Sequence, residues 1–182
     1  MNQWNKDWVW MKGHVDPTQY WDIDEIKSLP YKREEFNDRH QTDIWKQQGF
    51  SPRTGQLFDM RDTAQPKTTE LLTKWANDRA IENVGISYYC MEPGDNLPYH
   101  RDLYSKYIEI YDLENCKQFI VRYIFCVEDR KDGHILEVNG SIVDWKAGDY
   151  VAWRYDTLHM AANFGSENRF TIQLTGVLRE SF

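Results

Sequence analysis

From about Val84 onward the chain reads as short apolar segments separated by turn signals roughly every ten residues, the spacing of an all-β sandwich or barrel. Eight strands are predicted: Val84–Met91, Leu97–Leu103, Phe119–Glu128, His134–Val138, Ser141–Trp145, Asp149–Trp153, Leu158–Asn163 and Arg169–Val177. The intervening turns include Glu92-Pro93-Gly94-Asp95-Asn96, Lys146-Ala147-Gly148-Asp149 and Asn139-Gly140. The last is the strongest hairpin signal, because a type I′ turn needs positive φ at both central residues. Eight short strands in about 95 residues fit a jelly roll.

The preceding stretch has a different texture. Asp16-Pro17 can open a short helix, with Asp as cap and Pro at the first helical position. A second helix follows Pro66, with Leu71, Leu72, Trp75 and Ala76 on one side, ending near Arg79. Ser51–Pro66 between them is rich in turn formers and reads as a loop. The expected organisation is one domain: residues 1–80 as a helical and irregular segment on the outside of a jelly-roll core at 81–182. Six of the eight Trp (Trp4, Trp8, Trp10, Trp21, Trp45, Trp75) precede the β region and are expected to pack on its outer face.

Composition excludes several classes. With 27 aromatic residues in 182, the chain can bury enough surface to offset the entropy of ordering, so disorder is not expected. No apolar run reaches the roughly 18 residues of a membrane helix, and the first residues have neither a basic leader nor an apolar core of a signal peptide. The net charge is −7, with 12 basic and 14 acidic groups in residues 1–82 and 10 and 15 in residues 83–182. Neither half offers the basic stripe of a nucleic-acid binder. Three cysteines (Cys90, Cys116, Cys126) contain no CxxC pair, which favours buried thiols in a reducing cytoplasm over a disulfide or zinc scaffold.

The chemistry concentrates at His100-Arg101-Asp102. On a strand, residues i and i+2 share a face, so the imidazole and the carboxylate project together. One further His from a distant strand completes a 2-His-1-carboxylate triad, which leaves metal positions open and suits non-haem Fe(II). His159, on the seventh strand, is the natural third ligand. An HxD pair arises by chance roughly half a time in a chain of this composition, and a second one, His14-Val15-Asp16, does occur. That copy lies outside the β region, and helix capping already accounts for Asp16.

The final strand alternates Arg169, Thr171, Gln173 and Thr175 with Phe170, Ile172 and Leu174. Such alternation is ordinary for a half-exposed strand. In a barrel flanked by helices the apolar face packs outward instead, leaving the polar face inside. A buried Arg169 would then need an anion, and a guanidinium is well shaped for a ligand carboxylate. Arg122, within Phe119–Val127, poses the same question, with an internal salt bridge to an Asp or Glu as the alternative.

These residues resemble the 2-oxoglutarate/Fe(II)-dependent dioxygenases, whose core is a double-stranded β-helix. The matching pieces are His100-x-Asp102, His159, and Arg169 ten residues later. Within that superfamily the chain looks most like the aspartyl/asparaginyl β-hydroxylase branch, through Pro98–Asp102, Arg122, Val138–Asp149 and His159–Arg169. The resemblance covers about Tyr88 to Gly176. It implies that His100, Asp102 and His159 bind Fe(II). It also implies that Arg169 holds the distal carboxylate of 2-oxoglutarate, helped by Thr171 or Tyr89, with Arg122 near the carboxylate beside the keto group. Some members of the branch lack the acidic ligand; Asp102 is present here, which favours hydroxylation over halogenation. The activity implied is O2-dependent hydroxylation of an amino-acid side chain in a protein, a peptide or a free amino acid. The alternatives are a cupin-like binding module without turnover and, against the charge, an oxidative nucleic-acid demethylase. Tyr104–Gln118 is expected to be a loop, as a lid or a simple connection.

Overall fold

The computed structural model describes residues 8–33, 35–36, 38–61 and 64–179. Eleven strands form two antiparallel sheets. The larger contains β1 (Trp10–His14), β2 (Lys32–Arg33), β3 (Gln56–Phe58), β4 (Ile81–Met91), β6 (Ile120–Cys126), β9 (Asp149–Arg154) and β11 (Arg169–Leu178), in the order β1-β9-β6-β11-β4-β3-β2. The smaller contains β5 (Asn96–His100), β7 (His134–Val138), β8 (Ser141–Ile142) and β10 (His159–Asn163), in the order β5-β10-β7-β8. The fold is a jelly roll. No helix among the described residues is long and apolar enough to cross a membrane.

Period-two side-chain alternation assigns each face of the large sheet a different neighbour. One face carries Tyr88, Tyr123, Phe125, Ile172 and Leu174, buried beneath helices α1 (Pro17–Tyr20), α2 (Ile23–Lys27) and α4 (Lys67–Asn77), with Trp21, Ile26, Leu72, Trp75 and Ala76 in the same cluster. The other face looks towards the small sheet. There Ile124, Cys126, Val151 and Trp153 meet Leu136, Val138, Val143 and Trp145. As expected, Asp16 caps α1 by accepting from the Thr18 amide at 3.1 Å. Asn139 (φ 49°) and Gly140 (φ 78°) make the turn between β7 and β8. Cys90 and Cys126 are buried free thiols.

Several expectations need correction. β5 ends at His100, not Leu103, because its partner β10 begins at His159, which lies opposite His100. The strand expected over Ser141–Trp145 stops at Ile142; Val143 and Trp145 turn into the core between the sheets instead. Ser51–Pro66 is not all loop. Within it, β3 covers the edge of β4, with Leu57 opposite Tyr89 and Phe58 opposite Tyr88. β1, which no periodicity marks, adds to β9 with Trp10 opposite Trp153. Tyr104–Gln118 is not a bare loop, since it holds α5 (Ser105–Tyr111), anchored by Ile108 and Leu113 on Ile120.

The tryptophans also divide. Trp21 and Trp75, with Trp8 packed alongside, join the outer cluster as expected. Trp10 instead joins the cluster between the sheets, and Trp45, on α3 (Arg39–Gln47), packs against Phe36 and His100. Trp4 lies outside the described residues.

Candidate active site

His100 closes β5 and His159 opens β10, so their cross-strand pairing sets the two imidazoles side by side with ring centroids 4.3 Å apart. In each ring Nδ1 faces a backbone carbonyl two residues earlier: Pro98 at 2.8 Å for His100, Thr157 at 2.9 Å for His159. A carbonyl only accepts, so Nδ1 carries the hydrogen and Nε2 keeps its lone pair. Both Nε2 atoms face the same carboxylate oxygen, Asp102 Oδ1, at 3.8 and 3.9 Å. Asp102 reaches it from just beyond the end of β5. The three ligand atoms lie within 4.8 Å of one another, the one such cluster among the described residues. Two neutral imidazoles and one carboxylate suit a divalent first-row metal and leave coordination positions open.

Asp102 Oδ2 faces the other way and accepts from Arg122 Nη2 at 3.3 Å. The Arg122 guanidinium also lies 5.2 Å from the Tyr104 ring, and its Nη1 is 3.4 Å from Gln173 Oε1. Burial alone would raise the Asp102 carboxyl, but Arg122 and the two imidazoles outweigh it and hold it far below the usual range. Burial pushes His159 down to about 4, against the opposing pull of Asp102.

Arg169, 5% exposed, faces the space between the sheets from the start of β11. Its Nη1 donates to the Ile135 carbonyl at 3.2 Å and approaches Met91 Sδ at 3.4 Å, and its guanidinium carbon lies 5.0 Å from the Trp145 ring. Its Nε has no hydrogen-bond partner, and no carboxylate among the described residues lies within ion-pair distance. Burial depresses its pKa. An unpaired buried cation with an orphaned donor is costly in the absence of an anion. The residues therefore fit a bound carboxylate.

Tyr89 and Thr171 are opposite one another on β4 and β11. The Tyr89 hydroxyl accepts from the Gly55 amide at 2.7 Å, and burial pushes its pKa up to about 12. Gly55 is required by this contact, because a Cβ there would lie 2.7 Å from the Tyr89 ring.

All seven residues singled out from the sequence line one cavity of about 290 Å³. Met91, Gln173, Leu136, Trp153, Thr54 and Gly55 also line it. Met91 and Gln173 were accessible by strand parity, two positions from Tyr89 and Thr171. Thr54 and Gly55 carry no such signal, since β3 brings them in through long-range pairing.

The sequence profile of the family described as aspartyl/asparaginyl beta-hydroxylase matches residues 16–176. Among solved structures, the chain is similar to a Pseudomonas putida prolyl-4-hydroxylase (12% identity, 94% of each chain covered, TM-score 0.57). It is also similar to a viral collagen prolyl hydroxylase from Paramecium bursaria Chlorella virus-1, solved as a 2OG complex (9% identity, 96% of this chain and 98% of that one, TM-score 0.56). At these identities the likeness is one of fold. No curated protein matches the sequence.

Proposed function

Because the chain belongs to the aspartyl/asparaginyl β-hydroxylase family, we propose that it is an Fe(II)- and 2-oxoglutarate-dependent dioxygenase that hydroxylates an amino-acid side chain. The observation that carries this reading is the presence, in one cavity, of the His100–Asp102–His159 cluster and of Arg169, a buried cation with no carboxylate partner among the described residues. His100 Nε2, His159 Nε2 and Asp102 Oδ1 would hold the iron. Arg169 would receive the distal carboxylate of 2-oxoglutarate, with the Tyr89 and Thr171 hydroxyls beside it. Arg122 donates to Asp102 through Oδ2, leaving Oδ1 to the metal, and would sit near the carboxylate beside the keto group. When bound, iron, cosubstrate and O2 together supply the oxidising power that converts a substrate C–H into C–OH. Met91, Leu136, Ile124 and Trp153 give the cavity apolar walls beside its polar groups.

The test is anaerobic loading with Fe(II) and 2-oxoglutarate, followed by exposure to O2. A weak visible charge-transfer band and slow uncoupled succinate formation are expected. Asp102→Ala should abolish iron retention. Arg169→Ala should retain iron and raise the Kd for 2-oxoglutarate at least tenfold. Full turnover of Arg169→Ala at low cosubstrate would remove Arg169 from its assigned role. A wild-type protein giving neither band nor succinate would be a binding module.

A further inference from the structure

Gly55 stands one residue before β3 begins, and charged side chains fix the backbone there. Two arginines reach from this edge to the turn between β4 and β5. Arg33, on β2, donates through Nη1 to Asp95 Oδ1 at 2.9 Å and through Nη2 to Glu92 Oε2 at 2.8 Å. Arg53 donates through Nη2 to the same Glu92 oxygen at 2.7 Å, and its Nε lies 3.2 Å from Asp95 Oδ1. Asp95 is fully buried, and its Oδ2 accepts from the Glu92 amide at 2.8 Å. The backbone joins the same clamp. The Asn96 amide donates to the Arg53 carbonyl at 2.8 Å, and Arg33 Nη1 donates to the Thr54 carbonyl. Two guanidinium groups meet two carboxylates, so the group is balanced within itself and acts on the chain it holds.

That chain is a wall of the cavity that holds the metal cluster and Arg169, since Thr54 and Gly55 both line it. Gln56 lies opposite Cys90 and Arg169 opposite Met91, so Gly55 falls at the Arg169 end. A Cβ on Gly55 would come within 2.6 Å of the Cys90 carbonyl, which shows how closely the wall lies on β4. An amide N–H only donates, so the Tyr89 oxygen is the acceptor in its 2.7 Å contact with Gly55. The phenol's own hydrogen is left over, and it meets no acceptor among the described residues. Tyr89 is buried and lines the cavity, so a carboxylate at Arg169 is the acceptor within its surroundings. Resting on the dioxygenase reading, which places the distal carboxylate of 2-oxoglutarate at Arg169, we propose that Arg33 and Arg53 are positioning residues for the cosubstrate. Through Asp95 and Glu92 they hold the Gly55 amide on the Tyr89 oxygen and so aim the Tyr89 hydrogen at that carboxylate.

The test measures the Kd for 2-oxoglutarate under argon on the Fe(II)-loaded protein. Tyr89→Phe should weaken binding about tenfold, the scale of one hydrogen bond to a charged group. Arg53→Met should weaken it by a similar factor alone but by less than about twofold when Tyr89→Phe is already present, because two residues acting through one hydroxyl are not additive. Arg33→Met cuts the other arm, leaves Asp95 paired with Arg53, and should repeat the pattern, so a folding failure in one variant leaves the other to be read. In the ligand-free protein the Gly55 amide should exchange with solvent at least tenfold faster in either variant, while the Ile172 amide in the middle of β11 keeps its wild-type rate. An unchanged Kd in the arginine variants, equal weakening with and without the Tyr89 hydroxyl, or an unchanged Gly55 exchange rate would each overturn the proposal. Failure of the dioxygenase reading looks different, since the wild-type protein itself would then not bind 2-oxoglutarate, whereas the exchange rates still report on the clamp.

Discussion

Arg122, half-buried, and Arg169, buried, line one cavity as two cations in opposite circumstances. Arg122 has its carboxylate in Asp102, whereas Arg169 has a thioether, a carbonyl and a ring face. The strand pattern made both visible as charges in apolar surroundings, but it could not say which was already paired. That depends on Asp102 swinging back past the end of β5, a contact between residues 20 positions apart. The same carboxylate faces His159, which makes acid the natural stress on the site. Burial holds His159 near 4 when folded, while the unfolded chain takes up the proton near the ordinary value of 6.5. A depressed folded value means that the unfolded state binds the proton first as pH falls. The His159 contribution is therefore complete above about pH 6.5 and lost between 6.5 and 4, by an amount on the order of 3 kcal/mol. Asp102, also depressed, loses its contribution only below the ordinary carboxylate range. Urea midpoints of the metal-free protein should fall from pH 7 to pH 4.5, and His159→Asn should flatten that fall. An unchanged slope in the variant would assign the acid sensitivity elsewhere.

At the scale of elements, β11 shows what a period of two can and cannot reveal. Its alternation separated the residues that line the cavity from those beneath the helices, and the structure keeps that division through Gln173 and Leu174. The expected consequence is a separation of effects along one strand. Ile172→Ala, at a fully buried position under the helices, should cost about 2–4 kcal/mol of stability while leaving the affinity for 2-oxoglutarate nearly unchanged. Gln173→Ala, one residue on, should cost less than about 1 kcal/mol and act on the site. Paired denaturation and cosubstrate-binding curves check both, and a large stability loss in Gln173→Ala would show that the two faces are not independent. β1 and β3 were illegible for a different physical reason. Each is a segment of five residues or fewer whose pairing partner lies far along the chain, β9 for β1 and β4 for β3. Local composition holds no trace of such a partner. In Ser51–Pro66 the abundant turn formers masked the three residues of β3 and the Arg53 bridge to Asn96. The Thr54 and Gly55 walls of the cavity were hidden with them.

In the whole molecule, the site draws on both sheets. His100 and His159 belong to the four-stranded sheet, while Tyr89, Thr171 and Arg169 belong to the seven-stranded one. A metal held by His100, Asp102 and His159 would reinforce the small sheet and the chain just beyond it. A dicarboxylate reaching from that metal to Arg169 would cross-link the sheets. Each ligand at a hundred times its Kd should stabilise the folded state by about 2.7 kcal/mol, or about 5–10 °C in Tm for a chain of this length. Fe(II) under argon should therefore raise Tm, and 2-oxoglutarate should raise it again only once the metal is bound. A chelator should reverse both. Asp102→Ala should lose both shifts, whereas Arg169→Met should keep the first and lose the second. Removing an unpaired buried charge should also leave the ligand-free Arg169→Met protein at least as stable as the wild type. If 2-oxoglutarate raised Tm equally with and without metal, Arg169 would be binding the anion from one sheet alone. The coupling between the sheets would then be absent, because binding free energies at two linked sites must change each other by the same factor.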